Sequence, residues 1–278
     1  MYYSKNKLFI DKIPVDKIIN QVGTPSYCYS YNQLKDNILK FKKSFNKINP
    51  LICFAVKANN NTKILSEIGK LGLGADVVSK GELMAALKSK IHPKKIVFSG
   101  VGKTYEEIDF AVKNKILLIN AESESEIRTI LKIAKKINRS VDIGLRLNPN
   151  VDAQTIKEIT TGKNSNKFGL TDKEVIRLLE YYKNSKYLNI KCLSVHIGSQ
   201  ITSHIPYLKM LKSIQKVIDK SNFRFEYIDL GGGMGINYEL KAQILNYKKY
   251  SDQIAKFMKK NNSKIIFEPG RSIIGNTG

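Results

Sequence analysis

The chain has 278 residues, 42% of them hydrophobic, and a formal net charge of +23. That length fits two ordinary domains or one α/β barrel of about 250 residues, and it suffices for a large single core. No apolar run approaches the ~20 residues that cross a bilayer, and the lysine-bearing N-terminus lacks the apolar stretch and cleavage site of a secretory signal. The positive charge comes from 41 lysines against six arginines, spread through every amphipathic stretch instead of gathered into a stripe with aromatics. A solvated lysine surface is therefore expected, with neither nucleic acid nor membrane as partner. Cys28, Cys53 and Cys192 sit in apolar runs without metal-ligand spacing, which points to reduced thiols in a cytoplasmic protein and to no metal.

In chain order, residues 7–30 hold short extended runs, the clearest being TPSYCYSY at 24–31. Apolar strand-like runs follow at 51–56, 73–78, 95–98, 116–119, 141–147, 190–195, 226–230 and 264–268. Their continuous apolar character suits parallel strands covered on both faces. Amphipathic stretches alternate with them at 61–70, 80–89, 104–113, 123–137, 171–184, 204–220 and 243–260. Ser79, Thr104 and Thr171 stand where helix N-caps are expected. Eight strands with intervening helices predict an α/β fold closed as a (β/α)₈ TIM-type barrel. The long segment 148–169 has no periodicity, and a loop of that length is expected to be functional, as an active-site lid.

Special chemistry falls where the strands run out: AVKAN at 55–59, HIGSQ at 196–200, GGGMG at 231–235 and EPGR at 268–271. These supply an amine, an imidazole, a glycine loop and an acid–arginine pair at the barrel's active face. A phosphorylated aldehyde cofactor held as a Schiff base would use all four. Lys57 projects from the first barrel strand between apolar flanks, where desolvation would depress its pKa and make it a nucleophile; the plainer reading is a lysine snorkelling off a strand end. Gly231, Gly232 and Gly233 suit close approach of backbone to a phosphate, or a permissive turn. Glu268 can face a protonated pyridine nitrogen, and Arg271 can grip a phosphate or carboxylate. His196 ends a buried strand, where a polar residue needs a reason, and its ring could stack on a cofactor. Asp76 and Arg146 are expected at the mouth, orienting the histidine or bonding the cofactor, or else as a buried ion pair. His92 and His204 read as loop and cap residues.

With these segments together the chain resembles the pyridoxal-phosphate-dependent decarboxylases of basic amino acids, on AVKAN, SVHIGSQ, DLGGGMG and EPGR. GADVVSKGEL and FSGVGKT are similar to the same family, and the likeness runs from about residue 25 to 278. NPNVDAQTIKEITTGKNSNKFGL at 148–170 is similar to the subgroup acting on diaminopimelate, although Ile156 stands where that subgroup commonly has histidine. The resemblance implies pyridoxal 5′-phosphate as cofactor and decarboxylation of meso-2,6-diaminopimelate to L-lysine and CO₂. The alternatives are another basic amino acid (ornithine, arginine or carboxynorspermidine) or a non-catalytic pyridoxal-phosphate barrel. An arginine at the pyridine nitrogen would mark a racemase, and Glu268 speaks against that. By the same resemblance Lys57 carries the aldehyde and His196 stacks on the ring. Gly231 to Gly233 hold the phosphate with Ser199 nearby, Glu268 meets the ring nitrogen, and Pro269, Gly270 and Arg271 contact phosphate or substrate. It also implies a homodimer and a β-domain bearing a Cys-Glu-Ser-type motif that none of the three cysteines matches. The expected organisation is N-terminal strands of that β-domain at 1–30, the barrel at 31–272 and the start of the remaining β-domain at 273–278, as in a partial sequence.

Overall fold

The computed structural model describes residues 1–153, 161–162, 168–238 and 244–278. The chain opens with an antiparallel meander of β1 (Tyr2–Ser4), β2 (Lys7–Ile10) and β3 (Ile13–Pro14). Both hairpin turns place two residues at positive φ, Lys5–Asn6 and Asp11–Lys12, the type I′ geometry that matches strand twist. Helix α1 (Val15–Val22) follows and stops at Gly23, whose φ is +77°.

The extended run expected at 24–31 is not a strand. Residues 24–30 have no regular structure, and Ser30 caps α2 (Tyr31–Ser44) by accepting from the Gln33 N–H at 3.0 Å. Apolar side chains at Leu34, Ile38 and Phe41 give α2 a helical stripe that seats it on the barrel, and alternation among the preceding tyrosines does not compete. The Ser30 hydroxyl also donates to Asp11, tying the small sheet to the barrel.

Eight parallel strands then close a barrel: β4 (Leu51–Ala55), β5 (Gly74–Val77), β6 (Ile96–Phe98), β7 (Leu118–Ala121), β8 (Val141–Arg146), β9 (Leu188–Ser194), β10 (Tyr227–Asp229) and β11 (Lys264–Phe267). Each pairs with the next, and β9–β10 and β11–β4 complete the ring. The helices between them are α3 (Thr62–Lys70), α4 (Lys80–Lys88), α5 (Tyr105–Lys113), α6 (Glu124–Lys136), α7 (Asp172–Tyr182), α8 (Ile205–Ser221) and α9 (Tyr247–Met258), with the short α10 (Arg271–Ile274) after β11. The strand expected at 116–119 lies two residues later, because Lys115 at positive φ ends the preceding turn and Ile116–Leu117 still approach the sheet. Ser79, Thr104 and Thr171 cap their helices as expected, the last two in full capping boxes. No helix among the described residues is long and apolar enough to cross a membrane.

Strand periodicity divides the barrel interior into two levels. Cys53, Val97, Leu118, Cys192 and Ile266 form an apolar layer, while the residues next to them in sequence (Phe54, Phe98, Ile119, Leu193, Phe267) pack outward under the helices. Two residues further along each strand the same inward direction recurs. Those positions hold Asp76, Ser99, Asn120, Arg146, Ser194, Asp229 and Glu268, all buried. An apolar floor thus carries a polar layer at the strands' C-terminal end.

Candidate active site

The polar layer opens into two adjoining cavities of about 540 and 350 Å³. Both are lined by Lys57, His196, Ser199 and Glu268, so these four side chains form their common wall. The larger continues to Ser99, Arg146, Thr161 and Phe168; the smaller continues to Gly233, Tyr238, Gly270 and Arg271.

Lys57 lies in a one-turn 3₁₀ helix, Val56–Ala58, directly after β4, which aims its amine into the mouth. Its Nζ is 3.4 Å from Asp76 Oδ2, and the other oxygen of this fully buried carboxylate has no hydrogen-bond partner among the described residues. The negative charge of Asp76 raises the Lys57 pKa and outweighs desolvation, with Glu268 adding to it. The amine is therefore an ammonium before cofactor arrives, contrary to the depressed pKa expected from apolar flanks. Lys103 is no competitor: its buried ammonium is held by Gly100 O, Asn120 O and Glu126 at 2.6–2.8 Å.

Asp76 faces Lys57 and does not orient the histidine. That task falls to the glycine loop, where the Gly232 N–H donates to His196 Nδ1 at 3.2 Å. The bond places the imidazole proton on Nε2. Burial pushes the His196 pKa well down, helped by the charges of Lys57 and Arg146, so the ring is neutral. Arg146 pairs with Glu122 at 2.6 Å and lies over the Phe168 ring at 5.0 Å. It is at once a buried ion pair and a wall of the larger cavity.

The glycine loop leaves no room for side chains. A Cβ on Gly231, Gly232 or Gly233 would meet backbone oxygens of Val195, Glu268 and Gly198 at 2.6, 2.1 and 2.2 Å. Gly231 and Gly233 also sit at φ +63° and +86°. Tyr207, buried under the loop, donates to Gly232 O at 3.1 Å. Glu268 accepts from the Ser99 hydroxyl at 3.1 Å. Burial, then the charges of Asp229 and Asp76, push its pKa well up. Arg271 opens α10 and hydrogen-bonds the Tyr238 hydroxyl, with its guanidinium 5.7 Å from that ring.

Sequence reasoning missed Ser99, Asn120, Glu122, Asp229 and Tyr238. Asn120 (LINAE) and Asp229 (YIDLGG) carried a usable signal, a polar residue two places beyond an inward apolar one in a buried strand. The stretch 148–170 that pointed to a subgroup is only partly open to comment, since 154–160 and 163–167 lie outside the described residues. Within it, Thr161 donates to His196 O at 2.8 Å and lines the larger cavity.

An amine, a neutral imidazole, an acid and a bare backbone cradle converge at one barrel mouth. Residues 31–275 match the family described as pyridoxal-dependent decarboxylase, pyridoxal binding domain. The chain belongs to that family of pyridoxal-dependent decarboxylases. A curated relative, the diaminopimelate decarboxylase of Aquifex aeolicus (strain VF5), is 38% identical over 279 residues, covering 99% of this chain and 66% of that protein. Among solved structures, diaminopimelate decarboxylase from Helicobacter pylori complexed with L-lysine superposes with TM-score 0.91 at 37% identity, over 95% of this chain and 67% of that one. The M. jannaschii enzyme in co-complex with L-lysine gives 0.91 at 32%, over 99% and 67%. The chain spans about two thirds, 66%, of the length of the first such relatives.

The residues present fit the family's cofactor, pyridoxal phosphate. The glycine cradle has space only for backbone, as a phosphate site requires. Asp76 faces the amine with one buried oxygen and keeps the other without a hydrogen-bond partner among the described residues. The mouth carries an acid, Glu268, suited to a protonated ring nitrogen.

Proposed function

We propose that this barrel serves decarboxylation of meso-2,6-diaminopimelate to L-lysine and CO₂, and that its catalytic group is Lys57 with His196 beside it. The observation that carries the reading is the common wall of the two cavities, where Lys57, His196 and the acid Glu268 stand together. When bound, pyridoxal phosphate supplies an electron sink for the pair left behind as the substrate carboxylate departs.

The chain's own residues do the rest. Lys57 holds the aldehyde carbon, and Asp76 stabilises positive charge at that nitrogen from 3.4 Å. His196, neutral and fixed through Nδ1, presents an uncharged face to the ring. Gly231 to Gly233, with Ser199, Gly270 and Arg271 around the smaller cavity and Pro269 between Glu268 and Gly270, bind the phosphate, and Arg271 also reaches a substrate carboxylate. Glu268 holds the proton at the ring nitrogen. Arg146 and Phe168 bound the larger cavity, which receives the substrate. Diaminopimelate is favoured over other basic amino acids by the relatives that bear its name and by the two structures holding L-lysine.

Residues 31–272 form the catalytic barrel in this reading, with 1–30 and 273–278 belonging to an adjoining β-unit. Three unpaired thiols suit a reducing cytoplasm, and the family resemblance implies a homodimer. The test is borohydride reduction of the chain loaded with pyridoxal phosphate, followed by peptide mapping and by competition among meso-diaminopimelate, ornithine and arginine for the bound cofactor's absorbance. The pyridoxyl group should map to Lys57, and diaminopimelate should perturb the spectrum at the lowest concentration. Labelling at Lys80 or Lys103 would overturn the site, and a stronger response to ornithine or arginine would overturn the substrate.

A further inference from the structure

Behind Glu268 the polar layer holds a second buried acid, Asp229, for which the functional reading has no use. It ends β10, beside β11, and is fully buried. Three donors converge on it: the Gly231 N–H at 3.0 Å, Asn120 Nδ2 at 3.0 Å and the Ser194 hydroxyl at 3.4 Å. Asn120 spends its other amide hydrogen on Ser99 Oγ at 3.2 Å, and Ser99 passes its own hydrogen to Glu268. One amide therefore grips both carboxyls, directly on one side and through a hydroxyl on the other. β7, which bears Asn120, lies opposite β11 in the closed ring, so the bonds tie together opposite walls of the barrel. The fold makes space for this amide specifically. A Cβ on Gly144 would lie 2.1 Å from Asn120 Oδ1, so only glycine fits at that position of β8. Turning the amide over would aim its oxygen at a carboxylate and a hydroxyl already committed as a donor.

We propose that Asp229 and Asn120 are positioning residues for Glu268, keeping its carboxyl at the mouth as the proton-bearing member of a carboxyl pair until the cofactor arrives. The inference rests on Glu268 meeting the ring nitrogen. Two buried carboxyls bridged by one amide and one hydroxyl cannot both be ionised without strong repulsion. Asp229 has the three donors and so keeps the negative charge; among the described residues Glu268 accepts only from Ser99 and so keeps the proton. The directions agree: burial raises Asp229 to about 6, restrained by its hydrogen bonds, while Glu268 rises well beyond its ordinary value. The other charges facing the pair are Asp76 and Lys57, and the thiols of Cys53 and Cys192 beneath stay protonated through burial. When a protonated ring nitrogen reaches Glu268, that nitrogen becomes the pair's partner. The proton that Glu268 carried then leaves to bulk water, or fills the ring nitrogen if the cofactor arrives without one.

The test is calorimetric titration of the full chain with pyridoxal phosphate in buffers of different ionisation heat, between about pH 6 and 9, which counts protons exchanged on binding. Asp229→Asn removes the nearer of the two negative charges that, added to burial, make Glu268 hold its proton. Wild type should therefore release more protons per cofactor than this variant, up to about one, and its affinity should tighten more steeply with pH, by up to about tenfold per pH unit. Equal counts would overturn the proposal. Asn120→Ala keeps both carboxyls and answers the question if Asp229→Asn fails to fold. It strips one donor from Asp229 and should move the midpoint of proton release to higher pH; an unmoved midpoint also overturns the proposal. Glu268→Gln separates the two claims. If it leaves the bound cofactor's spectrum and proton count unchanged, the reading of Glu268 itself fails. If it alters them while Asp229→Asn behaves as wild type, only the positioning role is lost.

Discussion

Gly232→Ala is the sharpest probe of the cradle, because it adds one methyl group and nothing else. Gly232 does not sit in the left-handed region, so alanine incurs no backbone strain there. The added Cβ would lie 2.1 Å from Glu268 O and 3.0 Å from Glu268 C, a shortfall of about 1.3 Å against ordinary contact. Either the loop or the end of β11 must retreat. Retreat stretches two bonds that define the site, Gly232 N–H to His196 Nδ1 and Glu268 N–H to Gly231 O at 2.8 Å. Overpacking costs about 1–3 kcal/mol and each lost hydrogen bond about 1 kcal/mol. If roughly 3 kcal/mol of this falls on the cofactor-binding geometry, the dissociation constant for pyridoxal phosphate rises about 100-fold. The assay is absorbance titration with the cofactor, alongside Gly235→Ala, whose added Cβ meets its nearest atoms at 3.1–3.2 Å and needs only small adjustments. Gly232→Ala binding within threefold of wild type would show that the loop does not hold the cofactor.

Arg146→Ala strands Glu122 in a buried site with one oxygen already lacking a partner, and should lower stability by about 3–5 kcal/mol in denaturant titration. Adding Glu122→Gln to that variant should recover part of the loss, and no recovery would mean that Arg146 acts through packing alone. Glu268→Gln should stabilise the cofactor-free chain at pH 8. The folded-state pKa of Glu268 is raised, so the folded chain binds a proton the unfolded chain lacks, and wild-type stability falls as pH rises above the unfolded value of about 4.3. Thermal melts should show the variant's advantage shrinking toward pH 4; a constant offset across pH would contradict the buried, proton-holding carboxyl. Thr104→Ala, which removes a capping box, should cost α5 about 1 kcal/mol in urea unfolding without changing cofactor affinity.

The barrel was legible because parallel strands covered on both faces must be continuously apolar, and eight such runs alternate with capped amphipathic helices. What failed was local. Tyrosine-rich residues 24–30 look extended by composition, yet Ser30 belongs to the helix that follows, whose stripe at Leu34, Ile38 and Phe41 was present but went unread. Lys57, His196, Glu268 and the glycine loop could be placed at the mouth because each lies one or two residues beyond a strand. Asn120 and Asp229 could not be assigned partners, because their contact crosses the barrel between residues 109 positions apart, and Glu122 could not because its partner Arg146 is met only when β7 and β8 pair. Strand order in the closed ring, not position along the chain, decides which inward residues meet.

The charge state of Lys57 shows the same limit from the side of energetics. Apolar flanks at Ala55, Val56 and Ala58 argue for desolvation and a depressed pKa, and desolvation is indeed one of the forces on this amine. The opposing force comes from Asp76, on a strand that pairs with β4 only in the folded barrel, where Ala55 stands beside Asp76. A carboxylate 3.4 Å away acts at about a third of the distance over which salt screens exposed charges, so it prevails. The consequence bears on function. An ammonium held by a buried acid is poorly suited to attack an aldehyde unaided, but if Lys57 carries the cofactor as proposed, the same acid would stabilise positive charge at that nitrogen. In the proposed reading the pairing that slows the first encounter favours the bound state, and the polar layer repeats the arrangement: Asp76 stands beside Lys57, Glu122 beside Arg146, and Asp229 is joined through Asn120 and Ser99 to Glu268, each acid next to a group that faces the cavities.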